Sequence, residues 1–360
     1  MLIYYIVWLI FIIPYVSIDR RKWKYFNRNY ALFVFVCLLI LMGFRHITVG
    51  TDTKQYAYLY SLSSEFINPD KYDRGYYLFA DFFHRLGLSF YAYNFVVAFI
   101  LTGALVLFYA IYSKNLAFSS LMFMTIGLLP MYMSGTRQSL AISFVLVAML
   151  WVDKHKGILH VLIACCIIWI ANTFHASAII GFVAVAIIAL RIRLSRTSVF
   201  LLVCISAASL VYRNYLAAIA SIFLPEKYME YDLSANYYIN PLLIMIAILI
   251  PVFCAIFDTT VDRDGKYSCE KTWMYFFTCA NMILTILAPN SMYFSRLAYY
   301  FVHVNSILVP NVIVGQKLRN NAIIMYLAIG ILCVLFFIIS IPGGTLGIDE
   351  YIFFWQYQTA

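Results

Sequence analysis

The sequence predicts an all-α, polytopic membrane bundle of about twelve transmembrane helices, and three observations predict it. Of 360 residues, 64% are hydrophobic and 11% are charged, against roughly a quarter charged in a soluble globular chain; so few charges cannot cover a water-facing surface. Apolar runs close to the length that crosses hydrocarbon recur from residue 2 to residue 341. The basic residues gather in alternate loops between those runs. Residues 1–360 therefore read as a single integral membrane domain, with no room for a separate soluble enzyme domain.

In order, the expected spans are 2–16, 30–44, 93–112, 116–133, 139–152, 158–171, 176–190, 198–212, 241–257, 273–288, 297–314 and 322–341. No basic residue precedes the first run, and Arg20, Arg21, Lys22, Lys24 and Arg28 follow it, the reverse of a secretory signal. It is expected to be a retained helix. The stretch 158–190 reads as one overlong helix or as two short ones hinged at Asn172, Thr173 and His175, and the charge count decides for two. With the loop 19–29 inside, sixteen of the 25 basic residues fall on the inner side, giving about +10 inside and −1 outside, the asymmetry of the positive-inside rule. The net charge of +9 then needs no nucleic-acid partner. Seven of the eight cysteines lie in expected spans and Cys269 in an inner loop, so no disulfide framework is expected.

Two long outer segments, 45–92 and 213–240, are rich in tyrosine and in charges of both signs. Within the first, 76–90 is too short and too interrupted by Asp81, His84 and Arg85 to span, and reads as an amphipathic helix lying in the interface. The second carries Arg213, Glu226, Lys227, Glu230 and Asp232, a possible lid.

Residues able to carry chemistry stand at outer helix ends. Arg45 offers a planar fork suited to phosphate, and Gly50 permits a tight turn before Thr51, Asp52 and Thr53. Asp52 is suited to accept a proton or a sugar hydroxyl; a snorkelling arginine and an ordinary helix cap would look the same. In Asp73-Arg74-Gly75-Tyr76-Tyr77, Arg74 suits phosphate and Tyr76 a sugar face, with an aromatic belt as the bland alternative. Gly135-Thr136-Arg137-Gln138-Ser139 holds the only charge between Lys114 and Asp153. A cation beside apolar segments calls for an internal acid or a bound anion, and no acid is near in sequence, which favours an anionic ligand. His175 suits a general base, a hydrogen-bond donor or a simple cap. Arg296 opens a further helix, with Tyr299 or Tyr300 one turn on. Arg45, Arg74, Arg137 and Arg296 could thus converge on one external anionic site. There is no phosphate-binding glycine loop, HExxH, GxSxG or close Cys/His spacing, so no metal or cofactor is expected.

The runs RHITVGTDTKQY, DRGYYLF, TRQSLAIS, FHASAII and SRLAYYF, in that order from residue 45 to about 302, resemble the EpsG-like branch of the Wzy O-antigen and exopolysaccharide polymerases. The resemblance implies a metal-independent glycosyltransferase of GT-C-like architecture in the bacterial inner membrane, acting at the periplasmic face. Donor and acceptor would both be undecaprenyl-pyrophosphate-linked oligosaccharides, and a chain-length regulator is an implied partner alongside membrane lipid. By matched position it puts forward Arg45, Asp52, Arg74, Arg137, His175 and Arg296. Together with the reading of the residues, this assigns Asp52 or His175 as acceptor base and Arg45, Arg74, Tyr76, Arg137, Gln138, Arg296 and Tyr299 as pyrophosphate or glycan ligands. Two rivals remain: a flippase for the same lipid-linked unit, which should show charges deep in its helices and two related halves, and an O-antigen ligase, which shares the donor.

Overall fold

The computed structural model describes residues 2–17, 26–62, 73–222, 239–340 and 347–356. Its elements are α1 (Leu2–Ser17), α2 (Phe26–Gly43), α3 (Thr53–Ser61), α4 (Arg74–Arg85), α5 (Phe90–Tyr112), α6 (Leu116–Thr125), α7 (Leu128–Ser134), α8 (Thr136–Lys154) and α9 (Ile158–Phe174). A 3-10 turn (Ala176–Ile179) leads into α10 (Ile180–Ala189), followed by α11 (Arg196–Ala208), α12 (Arg213–Ser221), α13 (Pro241–Phe257), α14 (Cys269–Leu287), α15 (Met292–Val314) and α16 (Arg319–Ser340). Two isolated β-bridges, Arg45 with Phe353 and Ser195 with Lys266, are the extended pairings among the described residues. The basic cluster Arg20–Lys24 and the lid residues Glu226, Lys227, Glu230 and Asp232 lie outside the described residues.

The expectation of twelve continuous spans needs refining. Five helices are long and apolar enough to cross a membrane, seven if each of two bent pairs is one span, and five further apolar helices have 10–17 residues. Hydropathy follows composition and passes straight through a backbone break. In 116–133 the chain turns by 63° at Gly127, whose φ of +91° a residue with a Cβ rarely adopts. The run 198–212 is helical only to Ala208, and α12, which starts at Arg213, sets off at 89° to α11. The stretch 158–190 is divided at His175, as the charge count requires. The amphipathic segment expected at 76–90 is α4, which ends before Gly87 at φ +76°. Arg296 lies inside the first turns of α15 rather than opening a helix, because Ser291 caps that helix by accepting from Tyr293 N–H (3.3 Å).

Polar side chains start helices where apolar runs begin. Ser89, Asn115, Ser195 and Ser268 each accept a hydrogen bond from a first-turn N–H, satisfying donors that hydrocarbon cannot. The most buried span is α15, 83% inside the protein along its apolar window, against 17% for α16. With it at the centre lie α6, α7 and α8, where Phe123, Tyr132, Leu140 and Met149 are fully buried.

The end of the bundle at which α8 finishes is cross-linked by ion pairs. Asp153 accepts from Tyr112 (2.9 Å) and Trp273 (3.3 Å) and pairs with Lys154 (2.9 Å) and Arg191 (3.6 Å). Asp258, fully buried, pairs with Lys271 (2.7 Å) and accepts from Tyr275 (2.8 Å).

Candidate functional site

At the opposite end, where α8 begins, the five sequence segments meet. Residues 45–53 dock on the end of α7. Arg45 is buried, and its guanidinium donates to the carbonyls of Met42 and, at 3.2 Å, Met133. Its Nε has no hydrogen-bond partner, and no carboxylate pairs with it among the described residues. Burial lowers its pKa to about 10, partly offset by Tyr351, Tyr4 and Tyr76, so it stays cationic at neutral pH. Thr53 Oγ1 donates to Val49 O (2.7 Å) and reaches Met133 O (3.3 Å), and Thr51 N–H donates to Ser134 Oγ (3.2 Å). Gly50, at φ +94°, is irreplaceable here: a Cβ would stand 2.5 Å from Met133 O. Asp52 precedes α3 without capping it, and its side chain is exposed.

The second and third segments are joined by an ion pair. Arg137 Nη1 donates to Asp73 Oδ2 at 3.3 Å, and its guanidinium lies 6.0 Å from the ring centre of Tyr56. The acid absent from its sequence neighbourhood is thus supplied from the start of α4. Arg74, next to it, is exposed, whereas Tyr76 is buried with its ring 5.5 Å from Tyr56. Burial pushes both phenols up, so each remains a protonated donor.

Further contacts bring in the last two segments. Gly75 abuts the end of α9 so closely that a Cβ would lie 2.0 Å from Thr173 Oγ1 and 2.9 Å from Thr173 C. His175 caps the 3-10 turn, Nδ1 accepting from Ser177 N–H at 3.3 Å and lying 2.6 Å from Ser177 Oγ. Ser177 Oγ in turn lies 3.2 Å from the Tyr300 hydroxyl. Gln138 Nε2 donates to Arg296 O at 2.6 Å, fastening α8 to α15 beside both arginines.

Tyr299 is not with them. About 100° further round α15 from Tyr300, it lines two adjoining cavities of about 110 and 100 Å³ that share Gly127, Leu243 and Tyr299. They form an apolar crevice between α13, α15 and α16, with Ser295 in its wall and the Gly127 break in its floor.

Sequence reasoning also missed residues 347–356, which complete this end. His46 N–H donates to Ile352 O (2.9 Å), Phe354 N–H to Phe44 O (3.0 Å) and Gly50 N–H to Gly347 O (2.7 Å). Tyr4 and Tyr351 donate to Ile348 O and Leu41 O. Aromatic alternation in YIFFW was the available signal.

These observations define a helical membrane protein with one end built from cations, tyrosines and a histidine that caps a 3-10 turn. The chain belongs to the EpsG family, whose profile matches residues 28–359, and this membership supports a polymerase-like role in polysaccharide biosynthesis with a lipid-linked oligosaccharide as substrate. Neither a comparison with curated proteins nor one with solved structures gave a significant match.

Proposed function

We propose that the protein is a metal-independent polysaccharide polymerase that moves a growing glycan from undecaprenyl pyrophosphate to the terminal sugar of a second lipid-linked repeat unit. Counting each bent pair and each shorter apolar helix as a span gives a twelve-span bundle. In that arrangement the end carrying Arg137 is the periplasmic face of the inner membrane. The observation that carries the reading is the meeting of Arg45, Arg137, Arg296 and His175, from four distant segments, at one end of the bundle.

The acceptor hydroxyl oxygen bonds to the anomeric carbon of the donor glycan while the bond from that carbon to the pyrophosphate oxygen breaks. Arg137 and Arg296 stabilise the departing pyrophosphate, and Arg45 adds to the positive potential. Arg74, exposed beside the Asp73–Arg137 pair, meets the second lipid-linked phosphate. The hydroxyl proton passes to Asp52, whose carboxylate is open to solvent and free of capping duty. Because His175 Nδ1 accepts the Ser177 N–H, the neutral ring carries its proton on Nε2, and His175 serves as a donor rather than the base. Gln138 holds the α8–α15 junction, and Tyr76, buried against Tyr56, backs the ring that lies beside Arg137 on the glycan side. The crevice beside Tyr299 and Ser295, one turn around Arg296, suits the isoprenoid tail.

Deletion of the gene followed by gel analysis of surface polysaccharide tests this. A single repeat unit on the lipid core, restored to a ladder by the intact gene, supports a polymerase; loss of every unit rejects it in favour of a flippase or a ligase.

A further inference from the structure

A histidine deep in the bundle belongs to none of the five segments. His303, in the middle of α15, is fully buried, with Nδ1 3.3 Å from the Tyr109 hydroxyl of α5 and Nε2 3.1 Å from the Tyr132 hydroxyl of α7. A neutral imidazole has one donor and one acceptor nitrogen, so it satisfies one tyrosine as donor and the other as acceptor. In hydrocarbon neither hydroxyl has water to turn to. The ring also lies edge-on to Tyr132 (centroids 5.4 Å) and parallel to Phe123 (6.5 Å).

The importance of the contact comes from what α7 carries. It is seven residues long, all of them buried, is cut off from α6 by the turn at Gly127, and has the Tyr132 hydroxyl as its side-chain hydrogen bond to α15. Yet the residue after Tyr132 presents the carbonyl that holds Arg45 and Thr53, the next presents the hydroxyl that holds Thr51, and three residues further stands Arg137.

We infer that His303 is a positioning residue: bonded to Tyr132, it fixes the rotation of α7 and through it the placement of Arg45 and Arg137. For its effect on catalysis the inference rests on the polymerase reading; for its effect on structure it does not.

The test uses the full-length protein in lipid nanodiscs, comparing His303→Phe, His303→Gln, Tyr132→Phe and the His303→Phe/Tyr132→Phe pair by amide hydrogen exchange and by polymerisation of lipid-linked repeat units extracted from a strain lacking the protein. His303→Phe and Tyr132→Phe are expected to speed exchange about fivefold or more in 45–53 and 131–138 and to leave 258–271 unchanged, the mark of a local opening. Both should lower kcat about tenfold with KM within about twofold, since orientation rather than ground-state binding is lost. His303→Gln, which keeps a donor and an acceptor, should recover most of kcat, and the double variant should be no worse than either single one, as for partners in one contact. Should His303→Phe fail to fold, Tyr132→Phe removes a single oxygen and decides alone. Unchanged exchange in 45–53 and 131–138 overturns the inference, as does raised exchange with undiminished kcat. If the unsubstituted protein makes no polymer, the polymerase reading fails, and the exchange pattern still decides whether His303 fixes α7.

Discussion

At the end of the bundle built on Asp153 and Asp258, each buried carboxylate is met by a lysine and by aromatic donors, and Asp153 also by Arg191. At the end built on Arg45 and Arg137 the buried charge is cationic. Arg45 touches main-chain carbonyls, and Arg137 shares a half-buried carboxylate and a tyrosine face. The first end is electrostatically closed; its charges answer one another and hold helices in place. The second carries positive potential with main-chain dipoles and phenols around it, the arrangement expected where charge arrives and develops during a reaction. Neutralising residues should therefore damage the two ends in different currencies, stability at one and turnover at the other.

The largest effect is expected from Lys271→Met, which strands the Asp258 carboxylate in a fully buried position and should destabilise the fold by about 3–5 kcal/mol. Thermal unfolding in detergent reads this, and surviving molecules should keep normal specific activity; an unshifted midpoint would abolish the contrast. Next, Arg137→Ala and Arg296→Ala should each reduce long-chain polymer about 100-fold or more, and Asp52→Asn comparably, at unchanged protein level. Normal ladders on a gel from both arginine variants would sink the assignment. Gly75→Ala forces a Cβ into Thr173, with overpacking worth about 1–3 kcal/mol; because it pushes the Asp73–Arg137 pair off α9, activity should fall more steeply than melting temperature. The smallest change sharpens the comparison: Tyr300→Phe removes one link from His175 and Ser177, for which a loss of about fivefold is expected. Tyr299→Phe leaves the crevice ring in place, so it should alter the apparent affinity for the lipid-linked unit by less than about twofold. A reversal of that order would show that the crevice tyrosine is the one at the chemistry.

Much of the candidate site was visible in the sequence because a polar residue at the edge of an apolar run stands out against so uniform a background. The candidates Arg45, Arg137, His175 and Arg296 stand out that way. The partnerships were not visible. Asp73 lies 64 residues from Arg137, and nothing local announces the pair. The choice between Tyr299 and Tyr300 turns on one step of helical rotation, which a segment without marked amphipathicity does not reveal. Gly127 was hidden because hydropathy averages over a break that backbone dihedrals create. His303 was hidden because it sits in the middle of an apolar run, away from the helix ends where polar residues stand out. Helical membrane character, in contrast, follows from bulk composition and was legible throughout, although the number of continuous spans was not.

The pairing of 347–356 with 44–50 has a consequence for the order of events during synthesis. Arg45 and the turn at Gly50 leave the ribosome about 300 residues before the strand-like segment that bonds to His46 and Gly50. At about 5–20 residues per second, that interval is roughly 15 to 60 s. For that time the N–H groups of His46 and Gly50 are without these partners, although Arg45 and Arg137 already have theirs in Met133 and Asp73. Connectivity alone thus sets the order of assembly, and a chain stalled near residue 340 is expected to exchange the amides of His46 and Gly50 faster than the full-length protein does.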